Sequence, residues 1–382
     1  MKAVVLAAGE GRRLWPLTEN RPKPMLPVAN RPLLEHVVDA LVDAGVDEIV
    51  LVVGYKRERI QNHFVDHDWD VDLTYVVQDK QLGTGHALLQ AEPLIGGEFI
   101  AINGDRIVES SLISRVWEEH QKTQEPVMAV ANSETPSRYG VVDVEDGVIT
   151  GIRERPPQEL VTSSLINAGV YALDPSIFSV IRETESRGEQ RLTDALMNMD
   201  LPVRPVQFSG LWLDVSFPWD LIAINGSVLE YTGAEHDSSV VIDGSAVVSE
   251  TTSFGAHSVV QANATVLRGT TLGENVSVGP NVVLENSVVL SDVTIKSSAT
   301  VKDCIIGANT EIGPGTVIEG GSAAVALDDA VYRDVKFGGL IGDNTTLGGN
   351  TTLRPGTILG NHVTLESGAT ADGHVDSNTT IK

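Results

Sequence analysis

From Ile242 onward an apolar side chain returns at every sixth residue, a spacing that few folds accommodate. Ile242, Val248, Phe254, Val260, Val266, Leu272, Val278, Leu284 and Leu290 follow without a miss. The positions two before them are small or β-branched: Val240, Ala246, Thr252, Ser258, Ala264, Thr270, Val276, Val282 and Val288. After a slip of one or two residues the series resumes at Ile306, Ile312 and Ile318. It breaks from about Glu319 to Gly339 and returns at Ile341, Leu347, Leu353, Leu359 and Leu365. One apolar residue per six-residue step makes a flat face. Three such faces close a triangular prism, coil stacked on coil around the apolar column.

The first part of the chain has a different grammar. Lys2 to Ala7, Glu48 to Val53, Leu73 to Val77 and Phe99 to Ile102 read as buried strands. Leu34, Val37, Val38 and Leu41 stand at helical spacing before the stop signal Gly45, and a second helix is expected from about Gly85 to Ala91. Buried strands alternating with helices predict an α/β doubly wound, mainly parallel sheet, whose ligands bind beyond the carboxyl ends of the strands. With 382 residues the chain has length for two domains, expected at 1–232 and 236–382.

The first such loop is Ala7-Ala8-Gly9-Glu10-Gly11-Arg12-Arg13-Leu14-Trp15-Pro16-Leu17-Thr18, followed by Arg21-Pro22-Lys23-Pro24. Glycines let a backbone approach a phosphate and aim N–H groups at it. In a chain of net charge -25, such a concentration of cations needs a local reason, and a polyphosphate supplies one. The segment resembles the signature of the sugar-phosphate nucleotidylyltransferases, G-x-G-x-R-L-x-P-L-T followed by P-K-P. It departs at Arg12, where that family has Thr. The repeats resemble the hexapeptide left-handed parallel β-helix, so the handedness comes from the resemblance and not from the period.

The resemblance implies a role for each matching residue. Ala8, Gly9 and Gly11 would cradle the nucleotide, Arg13 would steady the departing pyrophosphate, and Lys23 would neutralise charge at the reacting phosphates. Gln78, with Gly83 and Thr84 in Leu82-Gly83-Thr84-Gly85-His86-Ala87, would hold a pyrimidine. The Gln amide offers it both a donor and an acceptor. Gly140, Glu154, Arg155 and Asn167 would contact the sugar, with Arg155 standing where the family often has Lys. Asp105 in Ile102-Asn103-Gly104-Asp105 would bind Mg²⁺, joined by Asp214 or by Asn225. The implied reaction moves a nucleotidyl group from UTP or dTTP to a sugar-1-phosphate such as glucose-1-phosphate or N-acetylglucosamine-1-phosphate. Three alternatives stand beside it: added acetylation of glucosamine-1-phosphate by the second domain, guanylyl transfer to mannose-1-phosphate, and a non-catalytic regulatory relative.

Composition narrows the partners. The acidic balance excludes nucleic acid as a general partner, because its phosphate backbone would be repelled. No apolar run approaches the roughly 20 residues needed to span a bilayer, and a cytoplasmic protein is expected. Arg outnumbers Lys two to one on an acidic background, which predicts a salt-adapted protein whose self-repulsion is screened at high salt. The single cysteine, Cys304, excludes an intrachain disulfide and is expected to be a small core residue. Homo-oligomerisation is expected, with a trimer through the β-helix as one form.

Overall fold

The computed structural model describes residues 1–65, 69–185, 188–327 and 330–382. The chain forms two compact units that do not divide at one point in the sequence. The first comprises Met1–Glu10, Pro22–Met25 and Leu33–Asp214; the second comprises Gly11–Arg21, Leu26–Pro32 and Val215–Lys382. The glycine-rich segment is thus shared, its middle counted with the repeats.

The first unit is built on one sheet. Its main path runs Val148–Glu154, Gly140–Glu145, Leu165–Leu173, Phe99–Asn103, Lys2–Ala7, Glu48–Val53, Asp72–Val77. The last four are mutually parallel, with Lys2–Ala7 flanked by Glu48–Val53 and by Phe99–Asn103. Leu165–Leu173 then pairs antiparallel to Phe99–Asn103 and starts a mixed half that includes Val127–Asn132 and Arg204–Phe208. Both faces of the parallel strands are covered. Val5, Leu51 and Ile102 pack with Leu34, Val38 and Leu41 on one side, while Val4, Val52 and Ala101 pack with Leu88, Phe178 and Ile181 on the other. Alternate residues of each strand therefore serve different cores, which is why these strands read as continuous apolar runs.

The second unit is the left-handed parallel β-helix: three parallel sheets of eight, eight and seven short strands. Its interior column includes Phe254, Val260, Val266, Leu272, Val278 and Leu284, as the period of six requires. The column then departs from the sequence reading. Val289, not Leu290, is the next member, followed by Ile295, Val301 and Ile306. Leu272 pairs with Val289, and Val289 with Ile306, so two corners each carry one residue fewer. Those corners hold Asn286 and Asp303, both with positive φ. Cys304 lies wholly in the core, and burial pushes its thiol up. His257 and His362 occupy exposed corners in the left-handed conformation, at φ 61° and 58°. The break in the repeat is an antiparallel hairpin of Ser322–Leu327 and Ala330–Lys336. Among the described residues no helix is long and apolar enough to cross a membrane.

Candidate active site

The order of the parallel strands locates the site. The chain builds outward from Lys2–Ala7 through Glu48–Val53 to Asp72–Val77, then crosses back to place Phe99–Asn103 on the opposite side. The switch point lies between Lys2–Ala7 and Phe99–Asn103, and sheets of this kind bind their ligands beyond the strand ends at such a point. Ala8-Gly9 leaves one strand there and Gly104-Asp105 leaves the other, with the Gly104 amide bonded to Leu6 O at 2.9 Å. Ala8 O accepts from Gln81 Nε2 at 2.9 Å, which fixes the start of the loop.

Lys23 occupies this end of the sheet. Its ammonium donates to Asp105 Oδ2 at 2.5 Å and lies 3.6 Å from Asp214 Oδ1. Asp214 ends the strand Trp212–Asp214, which pairs with Arg106–Val108 and so returns to the same place. Three residues separated by up to 191 positions in the sequence thus meet. Arg106 was not singled out in the sequence, and it completes the group. Its Nη1 stands 2.6 Å from Asp214 Oδ1 and its Nε 3.7 Å from Asp105 Oδ1. The guanidinium also lies over the Trp212 ring at 5.0 Å and the Tyr139 ring at 5.9 Å. Burial disfavours its charge, but Asp214 and then Asp105 more than offset this, so its pKa is raised. The only sequence signal for Arg106 was its position directly after Asp105.

A second cluster follows the strand Asp72–Val77. Gln78 is buried, and its amide nitrogen donates to Gly83 O at 3.1 Å and meets His86 Nδ1 at 2.9 Å. The donor side is therefore committed within the protein, and the amide oxygen is the atom left to select a ligand. Gly83 has φ 114°, and a Cβ there would lie 2.4 Å from Gln190 O. The Gly85 amide donates to the same oxygen at 2.9 Å, and Thr84 Oγ1 accepts from Leu192 N at 3.0 Å. The hydroxyl of Thr84 thus braces the loop. Gly83→Ala is expected to destabilise the protein by more than about 1 kcal/mol. A lowered thermal midpoint checks this; an unchanged one would mean that Gln190 yields.

The residues read as sugar contacts form a third group. Gly140 and Glu154 are register partners on neighbouring strands. A Cβ on Gly140 would lie 3.0 Å from Glu154 Oε1, which also accepts from Thr193 Oγ1 at 3.1 Å. Asn167 Oδ1 accepts from Gly169 N at 2.9 Å, and its Nδ2 meets the Tyr171 hydroxyl at 2.7 Å. Burial raises the Tyr171 pKa and keeps it a neutral donor, with Asn167 opposing the shift and Glu154 adding to it. Arg155 is exposed, with φ 45° and its amide bonded to Tyr139 O at 2.9 Å. Thr193 and Tyr171 carried no sequence signal.

Three predicted residues lie in the second unit. Gly11, at φ 68° and ψ 36°, starts the turn Arg12–Leu14, and Thr18 Oγ1 donates to its carbonyl at 2.9 Å. The Arg13 guanidinium lies over the Phe217 ring at 5.6 Å. Asn225 is the third. It is fully buried, its Oδ1 accepts from Ala29 N at 2.9 Å, and its Nδ2 donates to Gly269 O at 3.0 Å. An amide spent on two backbone groups is a structural tie.

The chain is similar to known proteins. Residues 2–230 match the nucleotidyl transferase family. Residues 236–337 match the GMPPB C-terminal domain, and 340–370 the hexapeptide repeat of succinyl-transferase. The bifunctional protein GlmU of Methanocaldococcus jannaschii is 39% identical over 259 residues, 65% of this chain and 60% of that protein. The UTP–glucose-1-phosphate uridylyltransferase AglF of Haloferax volcanii is 37% identical over 228 residues, covering 58% of this chain and 93% of its own length. The chain spans about 61% of the length of the GlmU relative from Methanococcus maripaludis, at 36% identity. A crystal structure of UDP-glucose pyrophosphorylase complexed with UDP-glucose has 28% identity and TM-score 0.54, covering 60% of this chain and 98% of that one.

Proposed function

The chain belongs to the nucleotidyl transferase family, and on that premise we propose that it transfers a uridylyl or thymidylyl group to a sugar-1-phosphate. The observation that carries this is Lys23 between Asp105 and Asp214 at the switch point of the sheet. A phosphate oxygen of the sugar-1-phosphate attacks the α-phosphorus of the triphosphate in line and expels pyrophosphate. The attacking oxygen is already ionised, so no general base is required. Two anions must meet, and the barrier yields to positioning and charge neutralisation.

Asp105 and Asp214 fit Mg²⁺, since they are hard oxygen donors that already share one small cation, and Mg²⁺ is commonly held by one or two carboxylates plus substrate phosphates. When bound, that ion would supply charge neutralisation across the phosphates. Lys23 neutralises the reacting phosphates, and Arg13 steadies the pyrophosphate as it leaves. Ala8, Gly9 and Gly11 bring backbone close to the triphosphate. Gln78 presents its amide oxygen to the N3–H of uracil or thymine, and Gly83 leaves room for the ring. Gly140, Glu154 and Asn167 orient the sugar, with Thr193 and Tyr171 fixing the two polar side chains among them.

UTP is the favoured donor and glucose-1-phosphate the favoured acceptor. The support is the similarity to AglF, together with the pairing of Gln78 with the Gly83–His86 loop. The test is a matrix of UTP, dTTP, GTP and ATP against glucose-1-phosphate, N-acetylglucosamine-1-phosphate and mannose-1-phosphate, at low and molar salt. Pyrophosphate release is expected to be greatest with UTP and glucose-1-phosphate. Greater release at molar salt would support salt adaptation. Release with GTP and mannose-1-phosphate alone would replace the pyrimidine reading. No release from any pair would end the catalytic one.

A further inference from the structure

The middle of the glycine-rich segment is fastened to the β-helix by buried polar side chains, and we propose that Asp343 and Asn361 are positioning residues for the triphosphate. Asp343 sits at a coil corner with only 4% of its side chain exposed. Its Oδ2 accepts from Asn20 Nδ2 and from Arg21 Nη2, both at 2.8 Å. Its Oδ1 accepts from Ala308 N at 2.8 Å, which fixes the carboxylate plane. The next coil contributes Asn361, whose Oδ1 accepts from Asp343 N at 2.7 Å. Asn361 Nδ2 donates to Glu19 Oε2 at 2.6 Å and approaches Pro16 O at 3.4 Å. Two neighbouring coils thus grip Pro16, Glu19, Asn20 and Arg21.

A second, independent anchor lies at the other end of the same segment. Phe217, which carries the Arg13 guanidinium, stacks on Trp219 at 4.9 Å and packs on Tyr332 at 4.6 Å. Tyr332 belongs to the hairpin that interrupts the repeat, and Trp219 also meets Phe337 just after it, at 6.0 Å. The interruption therefore supplies an aromatic seat beneath Arg13. One oxygen each of Asp343 and Asn361 serves the coils, as the buried corner carboxylate of Asp303 also does, but Asp343 Oδ2 and Asn361 Nδ2 are turned to the glycine-rich segment. Removing a charge from water is costly, and here the offset is the ion pair with Arg21 together with its hydrogen bonds.

The gripped segment includes Gly11 and Arg13, so this inference rests on the function proposed above. A loop fixed before binding spares the triphosphate the cost of ordering it, and small misplacements of such groups are expensive in rate. Nothing in this grip involves Gly140, Glu154 or Asn167, and so the two substrates should respond differently.

Asp343→Asn removes the Arg21 pair but keeps an oxygen for Ala308 N; Arg21→Ala cuts the same tie from the loop side and leaves the coils untouched. In both, KM for UTP is expected to rise about tenfold or more while KM for glucose-1-phosphate stays within about twofold. Calorimetric affinity for inorganic pyrophosphate should fall in parallel, and amide exchange across Leu14–Asn20 should accelerate about tenfold. Equal changes in both KM values, or exchange at the wild-type rate, would overturn the proposal. If the wild-type protein releases no pyrophosphate, the proposed function fails; the exchange comparison still decides whether Asp343 holds the segment.

Discussion

Replacing Lys23 with alanine is expected to reduce kcat/KM by about a thousandfold while the protein stays folded. The two halves of this expectation have separate grounds. The ammonium bridges two carboxylates at the place where the parallel strands reverse their order, and phosphates brought there would meet it directly. A group that meets charge developing in the transition state is lost mainly from kcat, whereas one that only binds the ground state is lost from KM. The loss should therefore appear mostly in kcat. Lys23→Arg keeps the charge but spreads it over a planar fork, and only partial recovery is expected. Stability should change little. Asp105 is 27% exposed and can be hydrated, and buried Asp214 keeps Arg106 at 2.6 Å. Pyrophosphate release and thermal unfolding measured on one preparation check both halves. Near wild-type kcat would remove Lys23 from the reacting centre.

What the sequence disclosed follows from how local each signal is. The strands Lys2–Ala7 and Glu48–Val53 are continuous apolar runs ending at turn residues, and both formed where expected. The β-helix was legible because its period repeats one local requirement many times. Its failure at Leu290 is equally physical: a five-residue corner moves the column by one position, and a second apolar residue beside Val289 conceals the move. The antiparallel half of the sheet was not legible, since pairing partners such as Ile166 and Val141 leave no mark on either segment alone. Lys23, Asp105 and Asp214, which the fold brings together, were singled out through motifs. The fold gives the Asn225 amide to two backbone groups, partners that no local motif could show. Asp343 and Asn361 had no signal, because polar residues at coil corners are ordinary and their partners lie more than 300 residues away.

Loss of Arg106 should cost the protein several kcal/mol of stability. Arg106→Met takes the guanidinium at 2.6 Å away from the Asp214 carboxylate, which is 1% exposed, and leaves the Lys23 ammonium at 3.6 Å. Breaking a buried pair from one side typically costs about 3–5 kcal/mol, because the remaining charge has neither water nor its partner. The guanidinium also gives up its places over Trp212 and Tyr139, worth up to about 2 kcal/mol where the cation is desolvated. For a unit of this size each kcal/mol moves the midpoint by about 2–4 °C, so a fall of about 10 °C is expected. The raised pKa keeps Arg106 charged at any pH at which the protein would be studied, so the penalty should not vary between pH 6 and 9 as the approximate working range. The decisive comparison is the double variant Arg106→Met with Asp214→Leu. If the penalty comes from an orphaned carboxylate, removing that carboxylate should recover most of the lost midpoint even though activity disappears. If the double variant is as unstable as the single one, the energy lies in the aromatic packing of the guanidinium, and Arg106 supports Trp212 and Tyr139 rather than Asp214.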